Sequence, residues 1–162
     1  MKLFDVIEQY VVDCENRGRA AGTLALYRRD LGLLARWLEQ LDVVEIGAVT
    51  LAHLRQFLNY LINSDSDRRF PNAIVQGRLE PSTVGTYVSV IKAFFQWCVM
   101  EDLTASSPAT RLVKPKVPEK VLATFTPEHV EKMLAACDLD TRTGFRDYVI
   151  LLVLLDTGMR VS

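Results

Sequence analysis

The tetrapeptide Thr157-Gly158-Met159-Arg160 sets a guanidinium two positions after a glycine suited to stopping a helix. Arginine keeps its charge and carries a planar fork that can donate two parallel hydrogen bonds. Held on a rigid turn, it can donate to an anion placed before it. The pattern is short, and it equally describes a surface arginine after a capping glycine. Other basic groups fall in patterns of their own. Arg29 and Arg36 are seven apart, so on a helix they share one face, with Arg28 beside them and Gly32 between. Gly85, Ser89, Lys92 and Gln96 make a second helical stripe of small or hydrogen-bonding residues with one cation and no acid, and Thr83 and Thr86 lie nearby. A face of that kind can come close to a phosphate backbone and offer donors to base edges. It also reads as an ordinary solvated helix face.

Other chemistries find little support. His53 and His129 are isolated, with no Cys or carboxylate pair at metal-ligand spacing, and read as helix-surface histidines. Cys14, Cys98 and Cys137 fall on apolar faces and read as core residues. There is no glycine-rich phosphate loop, and nothing positions a Ser-His-Asp set. No metal and no cofactor is expected. From these residues alone the chain reads as a binding module rather than a complete enzyme.

Helices must carry these groups. Leu3, Phe4, Ile7, Tyr10, Val11 and Cys14 recur at helical spacing, and Gly18 ends that segment after Arg17. A second helix is predicted from Thr23, with Tyr27, Leu31, Leu34, Leu38 and Leu41 as its core stripe. A third follows Thr50 as N-cap and buries Leu51, Leu54, Phe57, Leu58 and Leu61. Residues 63–80 lack a period and read as a long surface loop. Pro81 and Ser82 open a fourth helix to about Met100, carrying Val84, Tyr87, Val88, Ile91, Phe94, Phe95 and Cys98. Pro108, Pro115 and Pro118, mixed with Arg111, Lys114, Lys116 and Lys120, make a stiff basic linker. Thr126-Pro127-Glu128 starts another helix. A last one, from about Thr143 to Thr157, is apolar all round from Tyr148 to Leu155, which predicts burial on most sides. A domain rarely stops right after its most buried helix, so a fragment of a longer protein is expected.

Composition narrows the class. The 162 residues hold 19 basic and 20 acidic groups, and 49 % are hydrophobic. That is enough apolar material to offset the ordering entropy, which excludes a disordered chain. Three distant cysteines exclude a disulfide scaffold. The longest apolar run falls far short of the roughly 20 residues that span a bilayer, so no membrane association is expected. A secretory signal is missing from the start, which predicts a reducing, cytoplasmic setting. Positive charge concentrates in the middle: residues 63–122 carry eight basic against six acidic groups.

In register, these segments resemble the tyrosine recombinase, or phage integrase, family. Leu154-Leu155-Asp156-Thr157-Gly158-Met159-Arg160-Val161-Ser162 resembles its first active-site motif, stopping just before the expected Glu. Arg146-Asp147-Tyr148 resembles the lead into that motif. Thr126-Pro127-Glu128-His129-Val130 resembles the opening of an earlier helix, with Phe125 where Leu is usual and His129 where a second Glu is usual. Thr23 and Tyr27 through Trp37-Leu38 are similar to the second helix of the family's SAM-like core-binding domain. Pro81-Ser82-Thr83-Val84 through Phe94-Phe95 and Trp97 are similar to its fourth, and Ser107-Pro108-Ala109 stands where the family often has Asn-Pro-Ala. The loop at 63–80 departs from the shorter family connection.

The resemblance implies an all-α fold: a four-helix core-binding bundle at 1–111, a basic linker at 112–123, and the first helices of a catalytic domain at 124–162. It implies a protein that cuts and rejoins DNA through a 3′-phosphotyrosine, with neither metal nor ATP. Arg160 would be its first catalytic arginine. The second and fourth helices would enter the major groove, making Arg28, Arg29, Arg36, Thr83, Thr86, Ser89, Lys92 and Gln96 candidate contacts, while Lys114 and Lys116 would track phosphates. The nucleophilic tyrosine, a lysine and a His-x-x-Arg pair would lie beyond residue 162; Tyr10, Tyr27, Tyr60, Tyr87 and Tyr148 are in the wrong region. The partner would be double-stranded DNA, the parent a tetramer on paired sites, and the fragment a monomer. An all-helical protein-interaction module is the competing class. A helix-turn-helix regulator is disfavoured, because no short helix pair with a tight Gly turn stands out.

Overall fold

The computed structural model describes residues 1–63, 79–117 and 124–160. Six α-helices are present among them: α1 Leu3–Asn16, α2 Ala21–Glu39, α3 Leu51–Asn63, α4 Pro81–Met100, α5 Pro127–Ala135 and α6 Arg142–Thr157. A single 3₁₀ turn, Ile46–Ala48, lies between α2 and α3. No strand occurs among the described residues; Lys2 and Glu45 form one isolated antiparallel bridge. The all-helical expectation holds. The surface loop expected at 63–80 falls, for residues 64–78, outside the described residues, as do 118–123 of the linker.

The chain divides into two compact units, Met1–Pro118 and Glu119–Ser162. In the first, α2 and α4 each pack against the other three helices. The core is built from the predicted stripes: Leu3, Ile7 and Val11 of α1, Leu31, Leu34 and Leu38 of α2, Leu54, Phe57 and Leu61 of α3, and Tyr87, Ile91, Phe94 and Phe95 of α4. Tyr10 joins three helices, stacking on Tyr27 at 5.4 Å and meeting the edge of Phe94 at 5.5 Å. Beyond α4, Ala109 and Leu112 are buried in the same core, so this unit runs into the segment read as linker.

Helix ends follow local chemistry. No side chain caps α1; instead Leu3 N–H donates to Val44 O at 2.8 Å and Ile46 N–H to Met1 O at 3.1 Å, which gives an orphan helix donor a partner. Gly18 is left-handed at φ +72°, and the N–H groups of Arg19 and Gly18 return to Cys14 O and Glu15 O. This is a Schellman closure, at the residue the sequence marked. The same pair of bonds closes α2 around Asp42 (φ 58°) and α4 around Asp102 (φ 55°). The closure at Asp42 corrects one expectation. The helix ends at Glu39, so Leu41 leaves the stripe and is 46 % exposed, while Val43 packs on the core in its place.

The second unit corrects another. α5 and α6 form where expected, yet neither contains a buried residue. Phe145, Val149, Ile150, Leu152, Val153 and Leu155 of α6 are exposed, because two helices offer too few surfaces to cover an apolar cylinder. Gly144 sits so tightly in the first turn of α6 that a Cβ would stand 2.0 Å from Asp138 O.

Candidate nucleic-acid interface

On α2, Arg29 and Arg36 project from one exposed face, as their spacing requires, but the three arginines differ in company. Arg28 Nε lies 3.8 Å from Glu8 Oε2, a loose surface pair. Arg36 is exposed, with Nη1 3.6 Å from where a Gly32 Cβ would be. Arg29 Nε donates to Oδ1 of its neighbour Asp30 at 2.8 Å. The Arg29 side chain is 54 % exposed, whereas that of Asp30 is fully buried. Burial pushes the Asp30 carboxyl above the ordinary range, opposed by hydrogen bonds from Arg29 and from Tyr87 of α4. The hydrogen bond to Asp30 in turn raises Arg29. Spacing alone marks Arg29 as a surface cation and is silent on Asp30, because one acid amid leucines leaves no periodic signal.

On α4, Pro81 occupies the first turn, where its missing N–H costs nothing. Gln96 and Thr86 are exposed and Gly85, Ser89 and Lys92 half-buried along the outer stripe. Ser89 Oγ donates back to Gly85 O at 2.9 Å and Thr86 Oγ1 to Ser82 O at 3.3 Å, which leaves each hydroxyl oxygen able to accept. Thr83 is half-buried and lies about a third of a turn away from Ser89 by helix geometry. Gln96 borders a cleft of about 210 Å³ whose lining includes Tyr27, Trp97, Arg17 and Arg19. The last two are cations of the α1–α2 turn that the stripe-based reading missed, because turn residues have no period. Arg17 Nε is paired with Asp13 Oδ2 at 2.9 Å. Lys114 and Lys116 are exposed in the extended end of the first unit.

In the second unit Gly158 adopts the left-handed C-cap at φ +63° and its N–H donates to Leu154 O. Arg160, two residues on, is exposed. The mount differs from the expected one: α6 is open along its length instead of buried. His129 caps α5: Thr126 Oγ1 accepts the His129 N–H and His129 Nδ1 accepts the Thr126 N–H, both at 3.4 Å. Thr50 and His53 repeat the arrangement at 3.3 Å on α3. Both histidines therefore stand in the glutamate position of a capping box, each accepting through Nδ1. Glu128 is held below the usual carboxylate range by a hydrogen bond from Thr126. The Cys98 thiol is pushed by burial up to about 12. Among the described residues no group of three or more His, Cys, Asp or Glu could hold a metal ion, and no helix is long and apolar enough to cross a membrane.

Residues 7–102 match the family model described as phage integrase, N-terminal SAM-like domain. Along its whole length the chain is 29 % identical to tyrosine recombinase XerD of Vibrio vulnificus, covering 49 % of that protein. It is 31 % identical to XerD of Ralstonia nicotianae over 149 residues, covering 90 % of this chain and 42 % of that one. The chain thus spans about half the length of the curated relatives it matches. In fold it is similar to the Tn1549 transposon integrase solved in complex with circular intermediate DNA, with a TM-score of 0.66, 18 % identity, and coverage of 97 % of this chain and 47 % of that one. A family match running from α1 through α4, over more than half of the residues, rests on the same bundle that the stripes build, and by it the chain belongs to the phage integrase N-terminal SAM-like domain family.

Proposed function

We propose that this chain is the DNA-gripping portion of a site-specific tyrosine recombinase, acting in the cytoplasm on double-stranded DNA. In this reading residues 1–111 are the core-binding domain, 112–123 a basic linker along the phosphates, and 124–162 the start of a catalytic domain. Arg29, Arg36, Ser89, Lys92 and Gln96 face the duplex, with Arg28, Thr83 and Thr86 beside them. Lys114 and Lys116 contact the backbone. Arg160 is the first arginine of a centre that holds the attacked phosphate, and the attacking tyrosine belongs to a part of the protein outside these residues. The whole protein works as a tetramer on paired sites, and this chain alone is a monomer.

The observation that carries the reading is the α4 outer stripe. Gly85, Ser89, Lys92 and Gln96 present no acid over more than three turns, inside the segment matched to the family. A general surface role would not need a run free of carboxylates, since solvated faces mix both signs. The name of the XerD relatives and the DNA in the Tn1549 integrase complex point the same way.

Fluorescence anisotropy of a labelled duplex, titrated with the chain across a salt series, tests the proposal. Affinity should fall linearly on logarithmic axes, with a slope of about −0.9 per phosphate contacted. Lys92→Glu or Arg36→Glu should cut affinity at least about tenfold, the cost of roughly 1.4 kcal/mol, without changing the melting temperature. Residues 1–162 should bind without cutting. Affinity that is absent, or indifferent to salt and to both reversals, would overturn the reading. A second reading, a protein-interaction module, draws on the exposed apolar side of α6. It requires partner binding that survives both charge reversals.

A further inference from the structure

We propose that Asp30 is a positioning residue: it holds Arg29 by Nε so that the arginine's remaining donors meet a phosphodiester of the duplex. The inference rests on the reading of the α2 face given above.

The argument begins with cost. A carboxyl with no exposed surface in the middle of a helix is expensive, and an apolar residue there would serve the core better. Its neighbours on the helix, Leu31, Gly32, Leu33 and Leu34, are all buried, so the position is part of the packed side of α2. The residue before it is the half-exposed Arg29, and the two meet at 2.8 Å through Nε and Oδ1. That geometry uses one of arginine's five N–H donors, and the four on the two Nη atoms have no partner among the described residues. A guanidinium fixed by its Nε loses most of its freedom in advance, and the outward edge keeps the paired donors that match a phosphate. Tyr87 also bears on the Asp30 carboxyl, and it comes from α4, the helix that carries the acid-free stripe. The buried carboxyl therefore lies beside the helix that carries that stripe. It supports a surface cation from beneath, as buried carboxylates orient the ligands of a binding site.

A residue kept for stability and one kept for positioning respond in opposite ways. Asp30→Asn preserves shape and can still offer Oδ1, but it removes the charge that strengthens the bond to Arg29. The full 162-residue chain carrying Asp30→Asn should melt no lower than the parent. Its affinity for a fluorescein-labelled mixed-sequence duplex at low salt should drop about five- to tenfold, the difference between a charge-assisted and a neutral hold on Arg29. In an Arg29→Ala background the same substitution should leave affinity unchanged, because the group it positions is gone. The Arg29 Nε–H signal in ¹⁵N-edited NMR, protected from exchange in the parent without DNA, should lose its protection in Asp30→Asn. If Asp30→Asn lowers affinity equally with and without Arg29, or lowers melting temperature and affinity together, Asp30 is structural and the proposal fails. If the parent chain binds no duplex, it is the reading of the face that fails, and the NMR signal then reports only a local ion pair.

Discussion

Asp30 shows how one side chain can oppose the stability of its own core. Its carboxyl is raised by burial despite Arg29 and Tyr87, so the folded chain holds that proton more tightly than the unfolded chain does. Both states are protonated below the ordinary carboxylate range. As pH rises the unfolded chain ionises first, and stability falls until the buried group ionises as well. Thermal melts of the parent and Asp30→Asn across this range should show the variant gaining on the parent as pH increases through the raised value, then running parallel to it. A gap that shrinks with rising pH would mean that Arg29 and Tyr87 outweigh burial. The nearby arginines were legible as a face from their seven-residue spacing. The acid beneath them was not, because its meaning lies in the depth of one position, which a pattern of residue types does not record.

At the level of elements, the sequence disclosed the helices wherever apolar residues repeat. α4 begins at Pro81, as predicted, and α1 ends before Gly18, since proline and glycine mark boundaries by backbone geometry alone. The end of α4 near Met100 was legible as well, whereas that of α2 was harder to see. Each is closed by an aspartate in the left-handed region, Asp42 and Asp102, doing what Gly18 does for α1. An L-residue with a Cβ adopts that conformation at a cost that glycine avoids. Asp102→Gly should therefore stabilise the first unit by roughly 0.5–1 kcal/mol against urea, net of the extra freedom glycine gives the unfolded chain. Loss of stability would show that the Asp102 side chain contributes to the turn beyond its backbone. The histidine caps of α3 and α5 escaped for a related reason: histidine is a rare stand-in for the glutamate of a capping box, and nothing in its spacing sets it apart from a surface residue.

Across the whole molecule, the two units differ in how they are built. The first has a continuous apolar core, with rings from α3 and α4 fully buried, whereas neither helix of the second has a buried side chain. The hydrophobicity of α6 was plain in the sequence, but its burial was not, because burial depends on what other segments supply. A chain of residues 1–118 should thus melt within about 2 °C of the full chain, as expected when the discarded part contributes little core. It should also bind less of a dye that senses apolar surface. A large drop in melting temperature would mean that the second unit supports the first. The two tryptophans, Trp37 against Phe57 and Tyr60 and Trp97 against Tyr10, both lie in the first unit. Ultraviolet emission excited at the indole band is therefore a private optical channel: any quenching or spectral displacement on titration originates in the front half, while events confined to the rear half stay dark.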